Sequence, residues 1–290
     1  MFSVLIPIYN YNISRLIQSI YYQLEKECNF FEIILVDDCS TKHKYENKKF
    51  VENKQNIVYI ELKENIGRAR IRNYLADKAR YENLIFLDCD VIVNENFVLN
   101  YKKHIDKDIV CGGIDYLKQK PTEDYILHWK YGLIKEKKAQ KKKKFFSSNF
   151  LIKKKIFKQI KFDEKISVYG HEDTVFAISL KKLNYKIDFI ENPVYHLGLD
   201  TNEQFLKKTE NWIKNSPQLI EKYGQDIINE IRLYKFYFKI SKYKLDSLLI
   251  LLYKLFLKTI KKKLFNKNPK IFFLDIYKLL FLAKILKTNE

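Results

Sequence analysis

Four short apolar runs, Val4 to Ile8, Ile33 to Val36, Ile57 to Leu62 and Leu84 to Leu87, punctuate the chain up to about residue 90. Each is too short for a helix and rich in β-branched residues, so each reads as a buried strand. Between the first two, Ile13, Leu16, Ile17, Ile20, Tyr21 and Leu24 recur at helical spacing, with Asn12 placed as an N-cap. A polar helix is expected over His43 to Asn53. A third is expected over about Arg68 to Arg80, where Ile71, Leu75 and Ala79 share a face. Strand and helix in alternation predict parallel strands joined by right-handed crossovers, a doubly wound, mostly parallel α/β sheet with helices on both faces.

That topology locates a site before any side chain is placed. In open α/β sheets ligands bind beyond the carboxyl ends of the strands, where the strand order reverses. Three of the four runs end in polar groups: Tyr9-Asn10, Asp37-Asp38 and Asp88-Cys89-Asp90. The rest of the chain is basic, with 54 Lys and Arg against 35 Asp and Glu and a net charge of +19. Such an excess draws nucleotides, nucleic acids or acidic lipids. Acids clustered at strand ends would repel a nucleic-acid backbone, which argues against a nucleic-acid-binding module. A 47% apolar and 31% charged composition excludes a disordered tail.

Cys28, Cys39, Cys89 and Cys111 lie far apart with no CxxC pair, so neither a zinc ribbon nor a disulfide framework is expected, and a reducing cytoplasm fits. The opening MFSVLIPIYNYN has no basic stretch before its apolar run and carries Pro7 within it, which reads as a strand rather than a signal peptide. Leu248 to Tyr253 is followed by Lys254, well short of the roughly 20 residues that span a bilayer.

The polar groups suggest specific chemistry. Asp88 and Asp90 flank one residue and can reach a common point, where carboxylates suit Mg²⁺ or Mn²⁺. The alternative is a strand-terminating turn, in which Asp is common. One of Asp37 and Asp38 could accept from a base or a ribose while the other caps the following turn, or both could serve as caps. Glu172 and Asp173 precede the helical run Val175 to Leu180. There they either complement the helix dipole or supply a general base and an acceptor contact, with Gly170 permitting a close approach. His196, after an apolar strand, is either a packed residue or a partner of Asp90 in a metal site.

With these residues in place the chain resembles the family 2 glycosyltransferases of the GT-A (Rossmann-like) fold over about residues 1–200. SVLIPIYNYN looks like the opening strand, FEIILVDDCST the nucleoside-binding segment, NIGRARIRN the NxGxxxARN stretch with Ile71 in place of Ala, and LIFLDCDVIV the DxD strand. The resemblance implies that Pro7, Tyr9 and Asp38 line the nucleotide pocket, that Asn65, Gly67 and Arg72 form its wall, and that Asp88 and Asp90 hold the metal diphosphate. FSSNFLIKKKIFKQIKFDE resembles the acceptor-side segment, which places Asn149 toward the acceptor. GHEDTVF resembles the GxED segment of galactosyl- and N-acetylgalactosaminyl-transferring branches, implying Asp173 as base, Glu172 as an acceptor contact and His196 as a further metal ligand.

The same resemblance implies a Mn²⁺- or Mg²⁺-dependent, inverting hexosyltransferase taking a UDP-linked sugar to a saccharide or lipid-linked saccharide in surface polysaccharide or glycolipid synthesis. No QxxRW occurs, which favours single additions over processive synthesis. The nearest rival is a nucleotidyltransferase, but IPIYNYN lacks the Gly-rich phosphate loop with a basic residue that such enzymes commonly carry. The expected organisation is a catalytic domain at 1–200, with a nucleotide-sugar half at 1–98 and an acceptor half at 99–200, and a basic amphipathic helical extension at 201–290. In the extension Leu245, Leu248, Leu249, Leu252, Phe256 and Ile260 fall on one helical face with lysines opposite. That face either packs on the protein or lies on the anionic inner leaflet of a membrane.

Overall fold

The computed structural model of the chain describes residues 1–166 and 170–288, so Ser167 to Tyr169, just ahead of GHED, lie outside the described residues. Two compact units are present. The first comprises Met1–Leu117, Glu136–Ser167 and Val175–Gly198, and the second Lys118–Lys135, Val168–Thr174 and Leu199–Glu290. The second unit therefore takes in two segments that lie before residue 200, besides the C-terminal helices.

The first unit opens with β1 (Phe2–Ile8), α1 (Ser14–Glu27), β2 (Phe31–Asp37), α2 (Lys44–Val51), β3 (Ile57–Glu61), α3 (Arg68–Lys78) and β4 (Asn83–Leu87). All four expected strands and three expected helices are present, and β1 pairs in parallel with β2 and β4, and β2 with β3. Strands buried on both faces must be apolar throughout, which is why β2 and β4 read as unbroken runs. Ile13 rather than Asn12 stands at the N-cap position of α1, but Asn12 still serves the helix start. Its Oδ1 accepts from the Ser14 amide (3.0 Å), the first of the helix, while the Ile13 amide donates to Asn47 Oδ1 of α2 (3.1 Å).

Beyond this come β5 (Val91–Ile92), α4 (Phe97–Lys102), β6 (Ile109–Cys111) and β7 (Ile114–Tyr116). After α5 (Ile126–Tyr131) of the second unit follow α6 (Lys137–Lys141), β8 (Asn149–Lys153), α7 (Lys154–Ile160), α8 (Glu172–Lys182), β9 (Asp188–Phe189) and β10 (Val194–His196). The main sheet has the order β3-β2-β1-β4-β8-β6-β9, with β8 antiparallel to both β4 and β6. A small sheet runs β5-β10-β7. Phenylalanines fill the first unit's core: Phe86 stacks on Phe150 (4.7 Å between centroids) and Phe162 on Phe176 (4.3 Å), all four buried. Each contributes roughly 1.5–3 kcal/mol of burial.

The second unit is helical: α5, then α9 (Asn202–Lys214), α10 (Ser216–Glu230), α11 (Arg232–Ser241), α12 (Asp246–Leu264) and α13 (Ile271–Thr288). A capping box opens α9, where the Thr201 hydroxyl accepts from the Gln204 amide and the Gln204 side chain accepts from the Thr201 amide. Gly224, at φ +51°, breaks α10 into two stretches. Helices α12 and α13 lie against each other. The single apolar face expected for α12 is instead two, because Leu249 and Ile260 are buried while Leu245, Leu248 and Phe256 are exposed.

Candidate active site

The strand order reverses between β1 and β4, since the chain runs from β1 outward to β3 and then returns to the other side of β1. Loops at these strand ends are stitched by side chains. Asn10, at φ +52°, accepts through Oδ1 from the Thr41 and Lys42 amides (2.8 and 3.0 Å), and its own amide donates to Ser40 Oγ (2.8 Å). Asp37 is fully buried, accepting from the Ser40 amide (2.6 Å) and the Tyr59 hydroxyl (2.9 Å). Tyr9 is left exposed at the rim, with Pro7 half-buried beneath the loop.

Asp38 turns the other way. Its two oxygens accept from the Ile66 and Gly67 amides (2.7 and 3.1 Å), and Asn65 Nδ2 donates to the Asp38 carbonyl (3.1 Å). Burial pushes the Asp38 carboxyl above its ordinary value, and the two amides offset only part of that. Gly67 opens α3 at φ +82°, a region that favours glycine, and a Cβ there would meet nothing within 4 Å. The ledge above Gly67 is thus open.

In the DxD segment the two acids separate. Arg72 Nη2 donates to Asp88 Oδ1 at 2.6 Å, with side chains 3% and 25% exposed. The Arg72 guanidinium also lies 5.6 Å from the centre of the Phe162 ring. Asp90 faces His196, Oδ2 to Nε2 at 3.2 Å. Pairing of β10 with β5 sets His196 opposite Val91, and the Leu197 amide donates to the Asp90 carbonyl (2.8 Å). A Cβ at Gly198 would stand 2.3 Å from Asp90 Oδ2, so only glycine allows this approach. Burial pushes the Asp90 carboxyl up, but His196 and Arg68 outweigh it and hold the carboxyl below its usual range. Burial likewise pushes the His196 ring down, and Asp90 outweighs that, leaving it raised. Beside this pair opens a 260 Å³ cavity lined by Tyr11, Arg15, His43, Cys89, Val91 and Leu197 among others. The Tyr11 hydroxyl is pushed up to about 12 by burial, Asp90 and Cys89. A larger cavity of 640 Å³ beside α1 shares no residue with it.

The glycosyl transferase family 2 profile matches residues 3–161, more than half of the chain. The chain belongs to this family. The transferase is 26% identical over 211 residues to MJ1057 of Methanocaldococcus jannaschii, an uncharacterized glycosyltransferase, covering 66% of this chain and 67% of that one. It also resembles the S. aureus TarS 1–349 structure in complex with UDP-GlcNAc (TM-score 0.53, 18% identity, covering 100% of this chain and 92% of that one). The chain spans 54% of the longer TarS structure. A mannosyltransferase from Pyrobaculum calidifontis, solved with GDP-Man and Mn²⁺, gives a TM-score of 0.63 at 15% identity, covering 100% of this chain and 88% of that one. These likenesses show a GT-A fold.

Family 2 transferases use a divalent cation, and the donor set can be tested against one. Among the described residues no three His, Cys, Asp or Glu side chains gather as ligands. Asp90 and His196 offer a carboxylate oxygen and an imidazole nitrogen, a pair that suits Mn²⁺ better than the all-oxygen preference of Mg²⁺. Asp88, expected beside them, has one oxygen engaged by Arg72. Arg72 in turn is a buried partner of the DxD rather than an open wall.

Asn149 needs correction. It is fully buried, and its side chain is engaged at both ends: the Tyr101 hydroxyl donates to Oδ1 (2.6 Å), and Nδ2 donates to the Gly113 and Asn192 carbonyls (2.8 Å each). It ties β8 to neighbouring loops and presents nothing to an acceptor. Asn73, the last residue of NIGRARIRN, has no role legible in the sequence. It holds the Phe162 backbone through both N–H and C=O (2.9 Å each).

Glu172 and Asp173 belong to the second unit, in the first turn of α8, with Glu172 buried. Gly170, at φ +101°, passes so close to Trp212 that a Cβ would fall 2.3 Å from the indole. His171 stacks on the same indole (4.2 Å) and shares a hydrogen bond with the Tyr234 hydroxyl (3.1 Å). The backbone entering α8 is therefore fixed from the helical side of this unit.

Proposed function

We propose that the transferase moves one sugar from a UDP-linked donor to a saccharide hydroxyl, with inversion, in building a surface polysaccharide or glycolipid. The observation that carries this reading is the convergence of the Asp38–Gly67 clamp, the Arg72–Asp88 pair and the Asp90–His196 pair around one strand-order reversal. Among the neighbours TarS and GalNAc-T7 were solved with uridine nucleotides and the mannosyltransferase with GDP-Man, so the choice of uridine rests on the family resemblance of the nucleoside-binding segment.

In this reading Tyr9 stacks on the base, Asp38 and Asn65 set the loop that borders it, and the open Gly67 ledge admits the nucleotide backbone. Asp90 and His196 would hold the divalent ion, which supplies charge stabilisation to a departing diphosphate. Arg72 fixes Asp88 against that charge. Asp173 takes the proton as the acceptor oxygen bonds to the anomeric carbon and the bond from that carbon to the diphosphate oxygen breaks. One displacement inverts the centre. Glu172 holds the acceptor, and the reducing cytoplasm suits four cysteines that no disulfide joins.

The test is a screen of nucleotide sugars for thermal stabilisation, with and without Mn²⁺, because bound ligand raises apparent stability by mass action. A UDP-sugar should stabilise in a Mn²⁺-dependent way, and Asp173→Asn should keep that shift while losing about 10²- to 10⁴-fold in turnover. Release of pyrophosphate from a nucleoside triphosphate would instead assign nucleotidyl transfer.

A further inference from the structure

Helix α12 carries an apolar face that none of the described residues covers. Leu249, Ile260 and Leu264 are buried, yet Leu248, Leu251 and Leu255, spaced to share a second face, are 47%, 51% and 63% exposed. Scattered exposed leucines are ordinary, but a row over two turns of one helix, flanked by exposed Leu245 and Phe256, forms a patch.

The charges around this patch have one sign. Lys254 and Lys258 border it along the helix and Lys262 continues it toward the C-terminal end, all exposed and none in an ion pair among the described residues. The only acid of α12, Asp246, is buried at its start, held by the Tyr237 and Ser241 hydroxyls. No helix of the described residues is long and apolar enough to cross a membrane. An apolar stripe bordered by unpaired lysines is the pattern of a helix lying in a bilayer interface, its leucines among acyl chains and its ammonium groups at anionic headgroups.

We propose that the exposed face of α12 docks the transferase on an anionic lipid bilayer. A second copy of the chain is the poorer occupant, because a two-fold contact would set the same lysines against each other. The inference stands apart from the reading of the donor site.

Flotation of the full chain with vesicles of phosphatidylcholine plus phosphatidylglycerol, against phosphatidylcholine alone, tests it. Binding is expected to the anionic vesicles and to weaken with salt. Replacing Lys254, Lys258 and Lys262 with Gln should lower partitioning about 100-fold, at roughly fivefold for each lysine near the surface. Because Leu248, Leu251 and Leu255 are exposed, changing all three to Gln should leave circular dichroism and the thermal midpoint unchanged while abolishing flotation. Three results would overturn the proposal: no flotation of the unaltered chain, flotation indifferent to the leucine changes, or a dimer that these changes dissociate without any lipid binding. UDP-sugar binding, measured on the same proteins, should be unaffected in every case.

Discussion

Asn149 offers the sharpest separation between a ligand-binding residue and a structural one. Replacement by Leu, of similar size, removes three hydrogen bonds at a site with no solvent access. The Gly113 carbonyl still accepts from the Val194 amide (3.2 Å), so its loss is small. The Tyr101 hydroxyl and the Asn192 carbonyl lose the partner that Asn149 gave them inside the core. At about 1–3 kcal/mol for each buried polar group left unsatisfied, the cost is about 2–6 kcal/mol. For a unit of this size that corresponds to a fall in thermal midpoint of roughly 5–15 °C. Asn149→Asp should also destabilise, because it keeps an acceptor for Tyr101 but points a second oxygen at two carbonyls. Differential scanning calorimetry reads the midpoint, and initial rates at temperatures where both proteins are folded read the acceptor KM. A midpoint within about 2 °C of the unaltered chain, with acceptor KM raised, would refute the structural role and return Asn149 to the acceptor site.

Three further perturbations probe the donor site and the helical unit. Gly198→Ala places a methyl group 2.3 Å from Asp90 Oδ2, so Asp90 must turn from His196, and Mn²⁺ affinity measured by titration calorimetry should fall about 10- to 100-fold with the fold intact. Unchanged affinity would remove Asp90 from the metal. Arg72→Met breaks a buried pair whose carboxylate water still reaches, so the loss in urea unfolding should be about 2 kcal/mol, below that of a fully dry pair. Adding Asp88→Asn should recover part of it, and strict additivity would show that the two side chains do not couple. At Asp246 burial favours the neutral acid, but hydroxyls from Tyr237 and Ser241 outweigh it and hold the folded carboxyl below its usual value. A depressed folded value contributes stability above the unfolded value of about 3.9, lost as pH falls through the folded one. Asp246→Asn should therefore lower the thermal midpoint at neutral pH, with the gap closing below about pH 4. A gap that persists in acid would assign the loss to packing.

How much of the molecule is legible in its sequence depends on the kind of information each feature needs. The first four strands are legible because a parallel strand buried on both faces must be apolar along its whole length. Strand direction leaves no such mark, so NFLIK of β8 shows its place but not its antiparallel pairing. On α12 periodicity fails for a definite reason: Leu248 to Leu252 is apolar at every position, and such a run cannot say which side meets a neighbour. The Asp37 and Asp38 pair allows either one cap and one ligand contact or two caps, and residue type alone does not choose; the structure gives both carboxylates backbone amides to hold.

The Arg72–Asp88 pair escapes a motif-by-motif reading although a signal exists. Arg72 shares a helical face with Ala69 and Ala76, both buried, so two small side chains leave room for a guanidinium to lie inward between them. A buried arginine requires a carboxylate, because an unpaired charge there would cost several kcal/mol. The strand ends offer few acids, and Asp88 is the one that closes the NIGRARIRN helix onto the DxD loop. These two motifs, read separately as pocket wall and metal site, are therefore one mechanical unit. A change in either should disturb the other even when neither touches the donor.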